Sequence, residues 1–372
     1  MKYKVPFVNY PLHYQSMKKE IDTAMQRVLA NGDLILRDDV TKFEKTIASF
    51  LGVKYSVSLN SCTDALIFSL RAAGIKRGDE VITISHTFLA TIASIVHCGA
   101  KPILIEVGDD YNMDADKIEK AITKKTKAIL PVHFNGRTCN MKKIMKIAKK
   151  HNLKVIEDTA QSLGASFNKK KAGSFGLSSC FSFYPAKILG TFGDGGMVCT
   201  NNKSFAQKII LLRDHGRATK DKIACYGFTS RLDNLQAAIL NVKFKYFSSW
   251  IKKRRELAIL YDQGLSGIKE VKLPPSPQTK GLFFDVYQNY VIRAQKRDKL
   301  ALYLKNKGIE TIISSPIANH KQKALKDLHR FHLLKTEQMA REVISLPLYP
   351  ELTNNQVKYV IQTIDEFYKT KG

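Results

Sequence analysis

A lysine and an upstream aspartate are the side chains of this sequence with the clearest chemical capability. Lys187 ends the segment FSFYPAK (181–187), and Asp158 lies in the segment VIEDTAQ (155–161). A lysine amine can form a Schiff base with an aldehyde, and a carboxylate can keep the nitrogen of an aromatic ring protonated and electron-withdrawing. The pair therefore predicts a pyridoxal phosphate (PLP) cofactor held on Lys187.

The neighbours of Lys187 favour this prediction over the ordinary alternative, a solvated surface lysine. Ser182 could donate its hydroxyl to a phosphate group, and four glycines between residues 190 and 196 let the backbone turn closely beneath a ligand. Asp158 taken alone could be a simple helix cap. Its assignment as a partner of the cofactor ring depends on Lys187 being present.

The segment NSCT (60–63) is a candidate phosphate site because it lies between a predicted strand and a predicted helix. Unpaired N–H groups and the positive end of the helix favour an anion there. Ser61 and Thr63 add hydroxyl donors, whereas Cys62 would contribute its backbone. For this segment taken alone, an ordinary helix N-cap is the alternative.

Length and composition predict a globular protein of two domains. The chain has 372 residues, 44% of them hydrophobic, which is enough for a sizeable core. We expect a large cofactor-binding domain over 1–245 and a small C-terminal domain over 246–372. Because no apolar run approaches the roughly 18 residues of a membrane span and no signal-peptide core is present, we expect a cytoplasmic protein without a membrane partner.

The net charge of +27 raises nucleic acid binding as an alternative, which the distribution of the charge disfavours. The lysines are dispersed over predicted surface helices and turns, without interleaved aromatic residues. A basic surface could still attract a nucleotide diphosphate. The six cysteines and nine histidines show no zinc-type spacing, so we predict no metal and no disulfide framework.

Short β-rich segments alternate with amphipathic helices between residues 56 and 200. The predicted strands are 56–59, 80–85, 101–107, 128–133, 154–157, 179–182 and 196–200, and the predicted helices are 64–73, 88–97, 114–123 and 141–151. This alternation predicts an α/β domain with a mainly parallel sheet flanked by helices. A strand over 286–294 and a helix over 297–308 predict the smaller C-terminal α/β domain.

The ordered motifs resemble the DegT/StrS-type sugar aminotransferases, a PLP-dependent family with the aspartate-aminotransferase-like fold type I. The resemblance runs nearly end to end and includes the segments 61–66, 78–82, 87–91, 157–161, 181–187, 227–238 and 345–350. It implies transfer of an amino group from an amino acid, L-glutamate by family resemblance, to a nucleotide-linked keto-sugar. The similarity leans towards a dTDP-3-keto-6-deoxyhexose, with a 4-keto sugar as the alternative, and towards a product used in a cell-surface glycan such as the O-antigen of lipopolysaccharide.

The resemblance also implies roles for individual residues. The implied cofactor contacts are Ser61, Cys62, Thr63, Phe88, Asp158, Gln161, Ser182, Lys187 and Thr229. Phe88 would stack on the pyridoxal ring, and Gln161 would lie near its phenolic oxygen. Tyr184 and His320 would contact the substrate.

The segment 227–238 implies a homodimer with shared active sites, because in the family it reaches the phosphate of the neighbouring subunit. Relatives commonly carry Asn where this chain has Thr229, and many carry Gly where it has Cys62. We therefore expect a modified phosphate contact at Thr229 rather than a loss of the cofactor, since a threonine hydroxyl still donates one hydrogen bond.

Two further alternatives share the fold. In PLP-dependent sugar dehydratases of this family a histidine typically replaces the Schiff-base lysine, so Lys187 argues against that activity. A catalytically silent regulatory or assembly protein is the other alternative, and the intact Lys187, Asp158 and Gln161 argue against it.

Overall fold

The computed structural model describes residues 3–278 and 281–371. The helices are α1 (Tyr10–Gln15), α2 (Lys18–Asn31), α3 (Asp38–Leu51), α4 (Cys62–Ala72), α5 (Leu89–His97), α6 (Met141–Lys150), α7 (Lys203–Arg213), α8 (Asn234–Phe244), α9 (Phe247–Leu265), α10 (Arg297–Asn306), α11 (Leu334–Glu342) and α12 (Asn354–Lys371). The strands are β1 (Tyr55–Leu59), β2 (Glu80–Ile84), β3 (Lys101–Ile105), β4 (Thr126–Ile129), β5 (Lys154–Asp158), β6 (Ser166–Phe167), β7 (Lys170–Lys171), β8 (Ser178–Ser182), β9 (Gly196–Thr200), β10 (Arg217–Thr219), β11 (Lys222–Ile223), β12 (Val271–Lys272), β13 (Phe283–Phe284), β14 (Tyr290–Ala294) and β15 (Val343–Leu346).

A seven-stranded sheet forms the centre of the large α/β unit, with the strand order β1-β9-β8-β5-β4-β2-β3. Strands β3, β2, β4, β5 and β8 pair in parallel, and β9 runs antiparallel to both of its neighbours. All strands except β9 therefore point the same way, which confirms the prediction of a mainly parallel sheet and of fold type I.

Helices cover both faces of this sheet, as the apolar pattern of its strands requires. Along β2, Val81 packs in the cluster that contains α4 and α7, and the next residue, Ile82, packs in the cluster on the opposite face. Helix α6 shows how the second face is closed: its apolar positions are buried there, its lysines point outwards, and Asn140 caps its start by accepting the N–H of Lys143.

The carboxyl ends of the parallel strands meet at one edge of the sheet, and this places the predicted site segments together. The segment 60–63 follows β1, Phe88 follows β2, Asp158 is the last residue of β5 and Ser182 is the last residue of β8. Gly196, the first residue of β9, lies at the same edge because it pairs with Leu59 and Ser182.

Three predicted elements differ from the structure by more than two residues. The predicted strand over 128–133 is β4, Thr126–Ile129. The predicted helix over 114–123 is two short 3₁₀ turns, Ala115–Lys117 and Glu119–Ala121, because local side chains compete with the helical ladder. Asp114 accepts the N–H of Asp116, and Thr126 accepts the N–H of Thr123. The predicted strand over 286–294 begins only at Tyr290, because Tyr287 has a positive φ of 51° that interrupts the extended chain.

The C-terminal unit is a small three-stranded antiparallel sheet, β12-β14-β15, packed with α9, α10 and α12. The start of the chain joins it: Val5 forms a parallel bridge with Ile309 and is buried in the same apolar cluster. The predicted boundary between residues 245 and 246 stays a prediction.

Neither a membrane-spanning helix nor a cluster of metal-binding side chains is found in the described part of the chain. Within 3–278 and 281–371, no helix is both long enough and apolar enough to cross a membrane. In the same ranges, no three His, Cys, Asp or Glu side chains are grouped so that they could hold an ion.

Candidate active site

A cavity of about 510 Å³ opens at the carboxyl edge of the large sheet. Nine predicted site residues line it: Ser61, Cys62, Thr63, Phe88, Asp158, Gln161, Ser182, Tyr184 and Lys187. The C-terminal unit contributes Gln288, Asn289, Ile312 and Ser314, and the N-terminal segment contributes Phe7. The cavity thus lies between the large sheet and the small domain, where ligands of such folds bind.

Lys187 is held in a tight turn after β8, and its environment favours the neutral amine. Its N–H donates to the carbonyl oxygen of Tyr184 at 2.8 Å. Burial lowers the pKa of the Lys187 amine, and the nearby Cys62 and Asp158 oppose this shift. The neutral amine is the form of lysine that acts as a nucleophile and as a base, and a lowered pKa increases its fraction at a given pH.

Asp158 is a buried carboxylate, 4% exposed, that is held at both oxygens. Thr91 Oγ1 donates to Oδ2 at 2.8 Å, and the N–H of Ala160 donates to Oδ1 at 3.2 Å. Burial raises the pKa of the carboxyl, while the hydrogen bonds from Thr91 and Ala160 and the nearby Lys187 favour the charged form. A cationic ring nitrogen next to Asp158 would offset the cost of burying its charge.

Thr91 is a site residue that the sequence reasoning missed. Its single hydroxyl proton goes to Asp158, so the neighbouring Thr87 hydroxyl, 2.8 Å away, donates to Thr91. Thr91 falls in the segment 87–91, one of those that carry the family resemblance, and that membership was the available signal.

A second buried network lies behind Asp158 and fixes the end of β5. Glu157 is fully buried and accepts the N–H groups of Gly173, Phe175 and Gly176 as well as Nε2–H of His133 at 2.9 Å. The N–H of Cys139 donates to His133 Nδ1 at 3.0 Å, so Nδ1 is an acceptor and Nε2 carries the ring proton that faces Glu157. These hydrogen bonds satisfy both carboxylate oxygens of Glu157 and both ring nitrogens of His133.

The segment predicted to bind phosphate lies at the start of α4. Ser61 caps this helix by accepting the N–H of Asp64 at 3.1 Å, and the first-turn N–H groups of Cys62 and Thr63 have no partner within the helix. A Cβ on Gly196 would lie 2.2 Å from the carbonyl carbon of Ser61, so only glycine lets this loop rest on β9. Burial raises the pKa of the Cys62 thiol, which therefore stays neutral beside an anion.

Phe88 and Gln161 are available to a planar ligand. The Phe88 side chain is 72% exposed although it borders the cavity, which fits a ring that stacks on a flat partner. Gln161 Oε1 accepts the N–H of Asn135 at 2.8 Å, so its amide NH₂ remains as the donor for an oxygen.

His320 does not line this cavity, and its predicted contact with the substrate stays a prediction. The residue is fully buried, Ser85 Oγ lies 2.7 Å from its Nδ1, and its Nε2 lies 3.0 Å from Glu337. Its neighbour Asn319 donates to the carbonyl oxygens of Ser85 and Thr87. Both residues therefore hold the loop that presents Phe88, because their polar atoms are used inside the protein.

Thr229 lies outside this cavity. Its hydroxyl is 2.9 Å from Nε2 of His215, next to the exposed hairpin β10-β11. The role predicted for Thr229 concerns a second copy of the chain and stays a prediction.

We expect Thr91→Val to weaken PLP binding by about tenfold, because a charge-assisted hydrogen bond to the buried Asp158 is lost and the pKa of that carboxyl rises further. Thr91→Ser keeps the hydroxyl and is the matched control. Titration of each protein with PLP, followed by absorbance, measures the affinity. Equal affinities for the Val and Ser variants would contradict the proposed role of the hydroxyl.

The donor set fits PLP at each end: an amine for the aldehyde, a buried carboxylate for the ring nitrogen, and a glycine-supported helix start for the phosphate. On this sheet, with one reversed strand, it defines a PLP-dependent enzyme of fold type I. The chain belongs to the DegT/DnrJ/EryC1/StrS aminotransferase family, whose profile matches residues 15–365.

The proteins similar to this chain include enzymes and also one protein whose name describes a regulatory role. A dTDP-3-amino-3,6-dideoxy-alpha-D-galactopyranose transaminase from Aneurinibacillus thermoaerophilus is 41% identical over 98% of this chain and 99% of its own. A pleiotropic regulatory protein from Geobacillus stearothermophilus is 40% identical, again over 98% and 99%. The crystal structure of S. venezuelae DesV in complex with a ketimine intermediate is 35% identical, has a TM-score of 0.95 and covers 99% of both chains.

Proposed function

We propose that this protein transfers an amino group from L-glutamate to a nucleotide-linked keto-6-deoxy sugar, with dTDP-3-keto-6-deoxyhexose as the first candidate. Lys187 carries the proposal, since burial lowers the pKa of its amine in a cavity that also holds Asp158. The relative from A. thermoaerophilus, named for a dTDP-3-amino-6-deoxy sugar, supports the nucleotide and the position of the ketone.

The residues of the chain divide the work of such a transfer. PLP, when bound, supplies an electron sink that stabilises negative charge at the carbon losing its proton. The neutral amine of Lys187 can take the proton from Cα of the amino donor and later deliver a proton to the sugar carbon. Asp158 favours a protonated ring nitrogen, and the start of α4 holds the phosphate while the lysine is free.

The substrate side of the cavity is compatible with a 6-deoxy sugar. Phe7 and Ile312 offer apolar surface for a methyl group, and Asn289 and Ser314 offer hydrogen-bonding groups for sugar hydroxyls. Tyr184, 53% exposed, is the proposed contact from the lysine turn. A 4-keto sugar could contact the same side chains with its pyranose ring rotated. Only substrate tests therefore separate a 3-keto from a 4-keto substrate.

A homodimer would complete the site. Among the described residues that line the cavity, Lys187 is the only lysine or arginine, whereas a nucleotide diphosphate and a dicarboxylic amino donor both bring negative charge. The hairpin segment that precedes Thr229 projects from the subunit with Tyr226 fully exposed and Ile223 62% exposed. Apolar side chains exposed in this way fit a surface covered by a second copy.

The test is to load the protein with PLP, add L-glutamate and follow the absorbance of the bound cofactor, with 2-oxoglutarate measured by mass spectrometry. We expect glutamate to abolish the band of lysine-bound PLP, and only one of the dTDP-3-keto and dTDP-4-keto 6-deoxy sugars to restore it. UDP-linked sugars are run in parallel, and sedimentation velocity on the same sample measures the dimer.

Three outcomes would contradict parts of the proposal. If no amino acid changes the absorbance band of lysine-bound PLP, the protein is not an aminotransferase. A regulatory role, of the kind named for the G. stearothermophilus relative, would then be the remaining hypothesis. If the dTDP-4-keto sugar restores the band, the ketone of the substrate is at C4 rather than at C3. If the protein is fully active as a monomer, the proposal that two subunits share each active site is wrong.

A further inference from the structure

The side-chain amide of Gln288 makes two hydrogen bonds, one on each side of Lys187. Nε2 donates to the carbonyl oxygen of Ala186 at 2.8 Å, and the N–H of Ile188 donates to Oε1 at 2.9 Å. These atoms belong to the peptide groups that precede and follow the lysine. One planar side chain therefore restrains the backbone of Lys187 from both directions.

Gln288 is itself tightly held and is 7% exposed. The buried Arg254 of α9 donates Nη1 to the carbonyl oxygens of Tyr287 at 3.1 Å, Gln288 at 3.3 Å and Leu348 at 2.9 Å. On the other side, a Cβ on Gly136 would lie 2.6 Å from the backbone nitrogen of Gln288, so the loop after β4 rests directly on this segment. The clamp is thus anchored by the small domain and by the large sheet together.

Only a side chain that donates and accepts at once can make both bonds. A primary amide does so, whereas a carboxylate of the same shape keeps the acceptor for Ile188 and loses the donor for Ala186. A leucine of similar volume loses both. Position 288 therefore offers a graded series in which the number of clamp bonds falls from two to one to none.

We propose that Gln288 is a positioning residue that returns the amine of Lys187 to one geometry in every turnover. The inference rests on the proposed aminotransferase function, in which the lysine is released from the cofactor and must then act as a base. Once released, the amine is located only by its own backbone and side chain. Misplacement by about 1 Å can cost on the order of 10²-fold in rate, so a clamp on both adjacent peptide groups has a direct catalytic consequence.

The test compares Gln288→Leu, Gln288→Glu and the control Gln295→Leu, which changes an exposed glutamine of the same domain. Hydrogen exchange with mass spectrometry, on protein with and without PLP, follows the amide of Ile188. We expect exchange about fivefold or more faster in Gln288→Leu, and close to wild type in Gln288→Glu, which keeps the acceptor. The rate at which the lysine-bound PLP band forms should fall by about tenfold in Gln288→Leu.

Steady-state kinetics separate positioning from a purely structural role. We expect kcat to fall by about 10- to 100-fold in Gln288→Leu and less in Gln288→Glu, with KM for glutamate within about twofold of wild type. Unchanged exchange at Ile188 would show that the clamp does not hold the lysine. Faster exchange with kcat equal to that of Gln295→Leu, or a change confined to KM, would equally overturn the proposal.

The failure of the clamp and the failure of the proposed function give different results. If wild type binds PLP but does not transaminate, the proposed function fails, while Ile188 exchange and the rate of PLP band formation still decide the clamp. If Gln288→Leu does not fold, Gln288→Glu decides, since its loss of one bond must lower kcat or the rate of band formation. A folded Gln288→Glu variant in which kcat and the rate of band formation both equal those of wild type would contradict the proposal.

Discussion

Lys187→Ala should lower kcat by at least about 10³-fold and abolish the absorbance of lysine-bound PLP, because it removes both the covalent attachment and the base. The residue lies in the cavity with its backbone held on both sides, so truncation at Cβ leaves the surrounding turn in place. PLP should still bind without a covalent bond through the start of α4 and Asp158. Absorbance and single-turnover rates with glutamate measure the two losses.

Lys187→Arg is the control for charge. A guanidinium keeps the positive charge but is neither a nucleophile nor a base at neutral pH, so Arg should be as inactive as Ala. Activity of the Arg variant above about a tenth of wild type would contradict the role of Lys187 as nucleophile and base.

The wild-type pH profile gives an independent check on Lys187. Burial lowers the pKa of its amine from 10.5, and the active form is the neutral one. The rate at which the cofactor-free protein forms the lysine-bound PLP band should therefore rise with pH through the lowered value and fall below it. An acid limb centred at the ordinary lysine value would contradict the effect of burial.

Asp158→Asn should lower kcat by about 10²- to 10³-fold, because a neutral amide cannot stabilise a protonated ring nitrogen as a carboxylate does. Asp158→Glu keeps the charge but displaces it and should lose less. Stopped-flow measurement of the first half-reaction with glutamate isolates the affected step. An Asn variant within about threefold of wild type would contradict the assignment of Asp158 to the ring nitrogen.

The same substitution should have the opposite effect on the stability of the protein without cofactor. Burial raises the pKa of Asp158 above 3.8, so its contribution to the free energy of unfolding is most favourable at low pH. That contribution is lost as pH rises through the raised value. Asp158→Asn removes this dependence, and at neutral pH the Tm of the cofactor-free variant should equal or exceed that of wild type. If the cofactor-free Asp158→Asn variant has a lower Tm than wild type at neutral pH, the hypothesis that the buried charge of Asp158 destabilises the protein is wrong.

Much of the fold could be predicted because its signals are local. An apolar run such as the one in β3 and the apolar stripe of α6 can be recognised from neighbouring residues. Their alternation along the chain is enough to indicate a parallel sheet with helices. Two of the errors arose where local polar groups competed with the backbone ladder, as at Asp114, or where one residue left the extended region, as at Tyr287. Neither event changes the hydrophobic pattern from which elements are predicted.

The site was predicted unevenly for a related reason. Lys187 and Asp158 could be predicted as site residues because the chemistry requires their residue types and each stands in a recognisable local segment. The predicted contact of His320 with the substrate came from the family resemblance, and a histidine in a loop carries no local sign that it is buried. Its partner Ser85 is 235 residues away in the chain.

By itself, the sequence determined the cofactor chemistry, the family and the mainly parallel α/β sheet, since these depend on residue types, on ordered short motifs and on short-range periodicity. Only the tertiary structure decided which polar groups support that chemistry. Thr91 reaches Asp158 across 67 residues, and Gln288 reaches the backbone on either side of Lys187 across about 100. Such bonds join residues distant in sequence, and they exist only after the sheet has aligned its strand ends and the small domain has packed against it.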